Sequence, residues 1–297
     1  VLYRSYLWSI GFAILTMAAL AWIPSVKAVY FIGAACTLVF ATLSYERFDS
    51  LRKPRSAWTD ALNKTDFSAS PAAVGRWRPA LNLSQVELLR GNPDAALKYA
   101  QQAIKLGEPL GMAHLNMGGA LRAMKKPVEA IEAFNVAEKM GNTSFELFFQ
   151  RGELRLSLAQ FSLAHADLEL ALPMAQTTAL RHEALKLVAE AANMAQAYPR
   201  AVVHFEELHK QAPTVLPYVL SLSFAHFSMG NYAAALKVLD NALSQAPTGV
   251  LYHAQAQVLA QQGQKQAALT ALTKALALEP KNQMYTQLKQ RIESGKF

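Results

Sequence analysis

The chain has 297 residues, 52% of them hydrophobic, and a formal net charge of +8. This length would suit two ordinary domains, and the apolar content is high for a soluble protein. The single cysteine, Cys36, excludes a disulfide framework and a cysteine zinc site. The positive charge is spread along the chain, so the sequence lacks the basic stripe with interleaved aromatic residues that nucleic-acid binding requires.

Two apolar runs open the chain, Ser5–Ile23 and Ala28–Ser44. Each is close to the roughly 20 residues that a helix needs to cross a bilayer. Because only Pro24–Lys27 separates them, we expect a transmembrane hairpin over residues 1–44. A signal peptide is the alternative, but no small-residue cleavage site follows the first run. Aromatic residues typical of membrane interfaces lie near the edges of the runs: Tyr3, Tyr6, Trp8, Trp22, Tyr30 and Tyr45.

Positive residues are distributed unequally around this hairpin. Its turn contains Lys27 alone, whereas Arg4 precedes the hairpin and several basic residues follow it, namely Arg47, Arg52, Lys53 and Arg55. By the positive-inside rule, both ends of the hairpin should be cytoplasmic. The sequence therefore predicts a multi-pass membrane protein with everything after the hairpin in the cytoplasm.

Residues 45–76 are predicted to form a juxtamembrane linker, in which Pro54 interrupts any continuous helix. Four apolar residues have a spacing that would lay them along the membrane surface: Phe48, Leu51, Trp58 and Leu62. Three basic residues, Arg52, Lys53 and Arg55, form a cluster in this linker. We expect anionic lipid headgroups to contact it, with each positive charge contributing about 1 kcal/mol of attraction near the membrane surface. A solvated flank with no lipid contact remains the alternative.

A pattern of about 34 residues recurs from Trp77 to Lys281. It is clearest over Met112–Gly141, where Gly118 and Ala130 are small enough for two helices to approach closely and Phe134 fills the gap above them. The position of Ala130 is alanine in all six copies, at steps of 34, 34, 37, 34 and 33 residues. These alanines are Ala96, Ala130, Ala164, Ala201, Ala235 and Ala268.

These signature residues resemble the tetratricopeptide repeat, a helix–turn–helix unit whose copies stack into a solenoid. The resemblance implies an all-α fold, with six helix pairs over residues 77–281 after the two-helix hairpin. The three extra residues of the 37-residue step fall near Pro173–Arg181. Residues 282–297 are expected to supply a capping helix and tail, with three residues on its buried face: Tyr285, Leu288 and Ile292.

The resemblance also implies a concave groove, lined by the first helix of each pair, in which a protein partner binds. We expect this groove to be apolar at Leu220, Phe224 and Phe227 and acidic at Glu153 and Glu190, which would suit a basic or amphipathic helix. The full set of candidate groove residues is Leu115, Phe149, Glu153, Lys186, Glu190, Leu220, Phe224, Phe227 and His253.

No enzyme motif is present: the sequence lacks a nucleophile elbow, a phosphate-binding loop, a dinucleotide-binding glycine pattern and a zinc-protease helix. His204 and His209 are five residues apart and so do not share a helical face. We therefore predict no catalytic residue, no cofactor, no metal and no small-molecule substrate.

The function predicted from these features is that of a non-catalytic, membrane-tethered scaffold. It would recruit a cytosolic partner in the groove to integral membrane subunits at the hairpin. In architecture the chain is similar to the tetratricopeptide-repeat subunit of Pel-type exopolysaccharide synthase complexes of bacteria. This resemblance implies a place in the bacterial inner membrane and recruitment of a glycosyltransferase to an exopolysaccharide synthesis and secretion complex. The alternative is an assembly or quality-control factor for another membrane complex, respiratory or photosynthetic.

Overall fold

A computed structural model describes residues 25–65 and 75–295. Across these two ranges the ordered elements are all helices, and no strand occurs. The all-α fold predicted from the repeat pattern is therefore confirmed. The first apolar run, Ser5–Ile23, lies outside the described residues, so the hairpin that it would form with the second run remains a prediction.

Helix α1 extends from Val26 to Arg52 and contains the second apolar run. Its window Val26–Tyr45 has a mean hydropathy of 1.8, and none of that window is buried against the rest of the protein. Among the described residues this is the one helix long and apolar enough to cross a membrane. The side chains on its open surface are large and apolar, including Tyr30, Phe31, Leu38 and Leu43.

A break at Lys53 separates α1 from helix α2, Pro54–Asn63. Pro54 lies in the first turn of α2, where its missing N–H leaves no hydrogen bond unmade. Trp58 and Leu62 are two of the four residues whose spacing suggested a helix along the membrane surface; the side chains of the other two, Phe48 and Leu51, lie outside the described part of the chain. Trp58 and Leu62 pack against the first helix pair, where Leu62 is only 8% exposed. The apolar face of α2 is thus covered by protein.

Six helix pairs follow α2 and form repeats 1 to 6 in chain order. Each helix packs on its neighbours in the sequence, which is the arrangement of an α-solenoid. The pairs are α3 and α4 (Arg78–Leu89, Pro93–Lys105), α5 and α6 (Met112–Ala123, Pro127–Lys139), α7 and α8 (Phe145–Ser157, Phe161–Ala171), α9 and α10 (Thr178–Met194, Tyr198–Gln211), α11 and α12 (Leu216–Ser228, Tyr232–Gln245), and α13 and α14 (Gly249–Gln261, Lys265–Leu278).

The turn inside each pair has the same backbone geometry in all six repeats. In repeat 1, the backbone N–H of Asn92 donates to the carbonyl of Glu87 at 2.9 Å, and an equivalent bond closes each of the other five turns. This bond requires a left-handed residue just before the donor. The left-handed residues keep the spacing of the repeat: Gly91, Lys125, Ala159, Gln196, Gly230 and Gly263. Backbone hydrogen bonds therefore set the turn even where the left-handed residue is not glycine.

The extra residues of the long step lie between repeats 3 and 4, as the sequence predicts. Helix α8 ends at Ala171 and a short 3-10 turn, Leu172–Met174, follows it with Pro173 at its centre. Helix α9 then has 17 residues, whereas the first helices of repeats 1 to 3 have 12 or 13. The insertion is therefore absorbed by this turn and by a longer helix.

Helix α15, Gln283–Glu293, covers the end of the array. Its three predicted core residues, Tyr285, Leu288 and Ile292, are all buried against repeat 6. This confirms the capping helix, whose exposed face is polar and protects the last helix pair from solvent.

The small residue in the first helix of each pair is required by close packing. A Cβ atom added at Gly118 would lie 2.4 Å from the Phe134 ring, and one at Gly152 would lie 2.7 Å from Leu168. We expect Gly118→Ala to destabilise the protein by about 1–3 kcal/mol, because the ring must shift out of its place. Urea unfolding followed by circular dichroism would measure the loss.

The adjacent glycine provides a matched control. A Cβ added at Gly119 meets Gln150 and Leu88 at 3.5 and 3.6 Å, which is ordinary contact. Gly119→Ala should therefore be neutral or stabilising by about 0.5–1 kcal/mol, since it removes a glycine from a helix interior. Equal losses in Gly118→Ala and Gly119→Ala would contradict the packing role of Gly118.

A buried ion network joins repeats 2 and 3. The guanidinium of Arg151 donates two hydrogen bonds to Asp167, at 2.8 and 2.9 Å, and one to Glu138 at 2.6 Å. Arg155 donates to the same Asp167 carboxylate at 2.7 Å. Burial alone would lower the pKa of Arg151, but the hydrogen bonds to Asp167 and Glu138 outweigh it and raise the pKa. Arg151 is therefore a buried cation whose charge is matched by carboxylates from two other helices.

Candidate protein-binding groove

Two concavities are lined by first helices of the repeats. The upstream concavity is formed by α3, α5 and α7 and has a volume of about 650 Å³. Its wall is mixed, because apolar, amide and charged side chains all contribute to it. The lining residues include Gln85, Leu88, Leu89, Met112, Asn116, Arg122, Glu146 and Gln150.

The downstream concavity lies between α11 and α13 and has a volume of about 290 Å³. It brings together four of the residues that the sequence placed in the groove: Leu220, Phe224, Phe227 and His253. Its lining is largely apolar. Repeats 5 and 6 therefore build the most hydrophobic part of the face.

The two phenylalanines of α11 differ in how far they are open to solvent. Phe224 is 48% exposed, and its ring meets that of Tyr198 edge-on with the centroids 6.2 Å apart. Phe227 is half-buried, with its ring centroid 5.7 Å from that of Tyr232 on the second helix of the same repeat. Phe224 is therefore the aromatic side chain that is available to a partner, and Phe227 mainly forms the wall beside it.

His253 is half-buried, with its ring centroid 5.2 Å from that of Tyr285 in the capping helix. Burial lowers the pKa of His253, so that the imidazole is neutral at physiological pH. A neutral ring beside Leu220 and Phe224 adds to the apolar character of this concavity. The sequence pattern placed His253 in the groove but gave no indication of its charge.

The charged residues that the sequence placed in the groove at repeats 3 and 4 line neither concavity. Glu153 is paired with Arg122 of the preceding repeat, and Lys186 is paired with Glu183 at 3.0 Å in its own helix. Glu190 is exposed and forms no ion pair with any described residue. Glu190 is thus the predicted groove carboxylate whose charge is left unmatched.

Two other sequence-predicted groove residues differ in their surroundings. Leu115 is only 6% exposed and lines the upstream concavity. Phe149 is partly buried, stacks on Phe145 at a centroid distance of 5.0 Å and lines neither concavity. Val250 and Met112 also line the concavities, although the sequence analysis did not select them. Each lies one helical turn before a selected position, and this spacing was the signal that could have identified it.

The basic cluster before the repeats has a structural contact. The Nε–H of Arg55 donates to Glu87 at 2.6 Å, and the Glu87 side chain is 1% exposed. Hydrogen bonds from Arg55 and Asn92 lower the pKa of Glu87. Arg55 therefore links α2 to α3, and the lipid contacts predicted for Arg52, Lys53 and Arg55 remain a prediction.

A second polar cluster lies on the second helices of repeats 3 and 4, away from the groove helices. Glu169 of α8 accepts hydrogen bonds from Arg200 and His204 of α10, and His165 lies one turn before it. Burial alone would raise the pKa of Glu169, but the hydrogen bonds from Arg200 and His204 outweigh it and lower the pKa to about 2. The carboxylate is therefore ionised across the physiological range.

Comparison with known proteins gives the family of the repeats. Two family models described as tetratricopeptide repeat match residues 81–144 and 250–282. No curated protein sequence matches the chain.

Solved structures resemble this one at low sequence identity. A tetratricopeptide repeat protein from Parabacteroides merdae ATCC 43184 is 18% identical, with 86% of this chain and 98% of that one covered and a TM-score of 0.44. YrrB, described as a TPR protein with an unusual peptide-binding site, is 17% identical, with 80% and 99% covered and a TM-score of 0.48.

A chain of the Naa15/Naa10 complex bound to HypK-THB is 18% identical, with 74% of this chain and 34% of that one covered and a TM-score of 0.55. This likeness concerns the fold alone. The two family matches show that residues 81–144 and 250–282 contain tetratricopeptide repeats, and the six helix pairs have the spacing of that repeat.

Proposed function

We propose that this protein is a non-catalytic scaffold that is held at a membrane by α1 and binds a protein partner in its groove. Tetratricopeptide-repeat proteins bind protein partners, which supports the second part. The observation that carries the first part is α1, whose 20-residue apolar window has none of its surface buried by the protein. In water this surface would be costly, at about 25 cal/mol for each Å² of apolar area left exposed.

The connection between α1 and the repeats is short, which would keep the repeats close to the membrane. Lys53 alone separates α1 from α2, and α2 is fixed to repeat 1 by the burial of Leu62 and by the Arg55–Glu87 ion pair. A partner bound in the groove would accordingly be kept near the membrane surface. We propose that the membrane is the bacterial inner membrane, that residues 1–44 form a hairpin in it, and that the repeats are cytoplasmic.

The composition of the groove indicates the chemistry of the partner. Glu190 offers an unmatched negative charge at repeat 4, and Phe224 offers an exposed apolar ring at repeat 5. A partner segment with basic residues followed by bulky apolar residues on one face could pair with the Glu190 carboxylate and pack on the Phe224 ring. An amphipathic helix of a cytosolic protein has this pattern.

The membrane part can be tested by deleting residues 1–52, which removes α1 and everything before it. The remaining chain should leave washed membranes for the soluble fraction and keep its helical circular dichroism, because the buried residues of the six repeats are untouched. The full chain, treated in parallel, is the control. Retention of the shortened chain in washed membranes would show that the repeats themselves bind the membrane or one of its proteins.

The finer proposal is recruitment of a glycosyltransferase to an exopolysaccharide synthesis and secretion complex. It is supported by the order of parts, an apolar helix followed by an array of repeats. Purification of the full chain in mild detergent, with mass spectrometry of the bound proteins, should recover a glycosyltransferase and polysaccharide-export subunits. Recovery of respiratory or photosynthetic subunits in their place would favour an assembly or quality-control factor.

A further inference from the structure

Two imidazoles and one carboxylate converge where repeats 3 and 4 meet. His165 and Glu169 are four residues apart in α8 and so share one face of that helix. His204 reaches the same point from α10. The Nε2 atoms of His165 and His204 lie 3.1 and 2.8 Å from Oε1 of Glu169, and the three atoms all lie within 4.8 Å of one another.

We propose that His165, Glu169 and His204 bind a zinc ion that bridges repeats 3 and 4. Two imidazole nitrogens and one carboxylate oxygen are a ligand set that zinc accepts, with a water molecule in the fourth position. With bonds of about 2.0–2.2 Å, a tetrahedral zinc ion holds its ligand atoms roughly 3.3 Å apart. The two nitrogen–oxygen distances are already close to this spacing, and ligand atoms that are at most 4.8 Å apart must approach by up to about 1.5 Å to surround the ion.

The hydrogen bonds of Glu169 are concentrated on one carboxylate oxygen, to which a zinc ion could bind. Its Oε1 atom faces three nitrogen donors, since Nε of Arg200 lies 3.0 Å away in addition to the two imidazoles. A zinc ion would replace the two imidazole N–H donors, and each ring would present a nitrogen lone pair with its proton on Nδ1. Oε1 of Glu169 would then bind the zinc ion and accept a hydrogen bond from Arg200 only.

Arg200 is compatible with the ion as an outer partner. Its Nη2 donates to the other carboxylate oxygen, Oε2, at 2.6 Å, so Glu169 can keep this bond while Oε1 binds zinc. Hydrogen-bonded carboxylates of this kind are usual around metal ligands, because the bond orients them. The Arg200 side chain is 55% exposed, and solvent therefore screens its charge from the ion.

The position of the site gives it a structural consequence. The 3-10 turn Leu172–Met174 and the long helix α9 interrupt the regular spacing between repeats 3 and 4. A zinc ion held by α8 and α10 would link the two repeats across this irregular junction. Because the three ligands come together only in the folded protein, zinc binding would also stabilise the folded state against unfolding.

The test is titration of zinc chloride into the full chain, purified in detergent, freed of metal by a chelator and without an affinity tag. Isothermal titration calorimetry should show one zinc ion bound per chain. His165→Gln, His204→Gln and Glu169→Gln should each weaken binding by at least about tenfold. His182→Gln changes a histidine of α9 outside the cluster and should leave zinc affinity unchanged. Unaltered zinc affinity in His204→Gln, or no binding to the wild-type chain, would overturn the proposal.

A second measurement on the wild-type chain does not depend on how the variants fold. X-ray absorption at the zinc edge should show two imidazole ligands, and cobalt(II) bound in place of zinc should give the strong visible bands of a four-coordinate site. A spectrum with oxygen ligands only would overturn the proposal. Neither measurement depends on the membrane or on the groove partner.

Discussion

Asp167→Ala is expected to destabilise the protein by about 3–5 kcal/mol, because it removes the shared partner of two arginines that the fold buries. The side chains of Asp167, Arg151 and Arg155 are 3%, 4% and 13% exposed. Without Asp167, Arg155 loses the carboxylate it bonds, and Arg151 keeps only Glu138 and the amide of Asn135. A water molecule in the vacated space would not restore the negative charge that these guanidinium groups lose.

The loss should be concentrated at the junction of repeats 2 and 3. Each repeat of a solenoid contacts only its neighbours, so damage frays the adjacent repeats first. Hydrogen exchange of the Asp167→Ala variant should accelerate most in α6, α7 and α8, and urea unfolding should give the total loss. An unchanged exchange pattern in these helices would contradict the role assigned to the network.

The Arg122–Glu153 pair provides the control for this prediction. It also joins repeats 2 and 3, but its side chains are 38% and 44% exposed. Glu153→Ala should therefore cost less than about 1 kcal/mol, as is usual for ion pairs on the surface. Similar losses in Asp167→Ala and Glu153→Ala would mean that burial does not determine the strength of these pairs.

The repeats were predictable from the sequence because their packing is local. The six recurring alanines are all fully buried, at 0% exposure, because each lies where two helices of one pair cross. The spacing of such contacts along the chain depends only on the lengths of the helices and turns, and these lengths add up to the repeat length seen in the sequence. For the same reason the insertion near Pro173 and the buried face of the capping helix could both be located in advance.

The groove could be predicted only in part, because exposure on that face depends on how neighbouring repeats tilt. Phe149 occupies the same helical position as Leu220 and is likewise partly buried, but it stacks on Phe145 and only Leu220 lines a concavity. Trp58 and Leu62 had the spacing of a surface helix but are covered by repeat 1. A one-dimensional pattern identifies an apolar face and does not say which surface will cover it.

The cluster of His165, Glu169 and His204 was missed for a related reason. His204 was compared with His209, its neighbour in the sequence, whereas its partner in space lies in the preceding repeat. Glu169 and His204 are 35 residues apart, which is about one repeat. A histidine and a glutamate four residues apart, followed by a histidine one repeat later, was the signal available.

Phe224→Ala is expected to weaken partner binding by about 2 kcal/mol or more, which is roughly a thirtyfold loss of affinity. Its ring is 48% exposed in the apolar concavity of repeats 5 and 6, and exposed aromatic side chains in a concave site usually contribute most of the binding energy. The melting temperature should change little, because the ring's interaction with Tyr198 is an edge contact worth about 0.5–1.5 kcal/mol.

Phe227→Ala, in the same helix, should affect folding and binding together, in contrast to Phe224→Ala. Its ring is half-buried against Tyr232, so this change should lower the melting temperature as well as partner capture. Val203→Ala removes apolar surface that is 53% exposed on α10, outside the groove, and should alter neither quantity.

Partner capture is measured by co-purification from mild detergent and quantitative mass spectrometry. If Phe224→Ala retains the partner at the wild-type yield, the site of recruitment is not this concavity, and the upstream concavity of α3, α5 and α7 becomes the place to test.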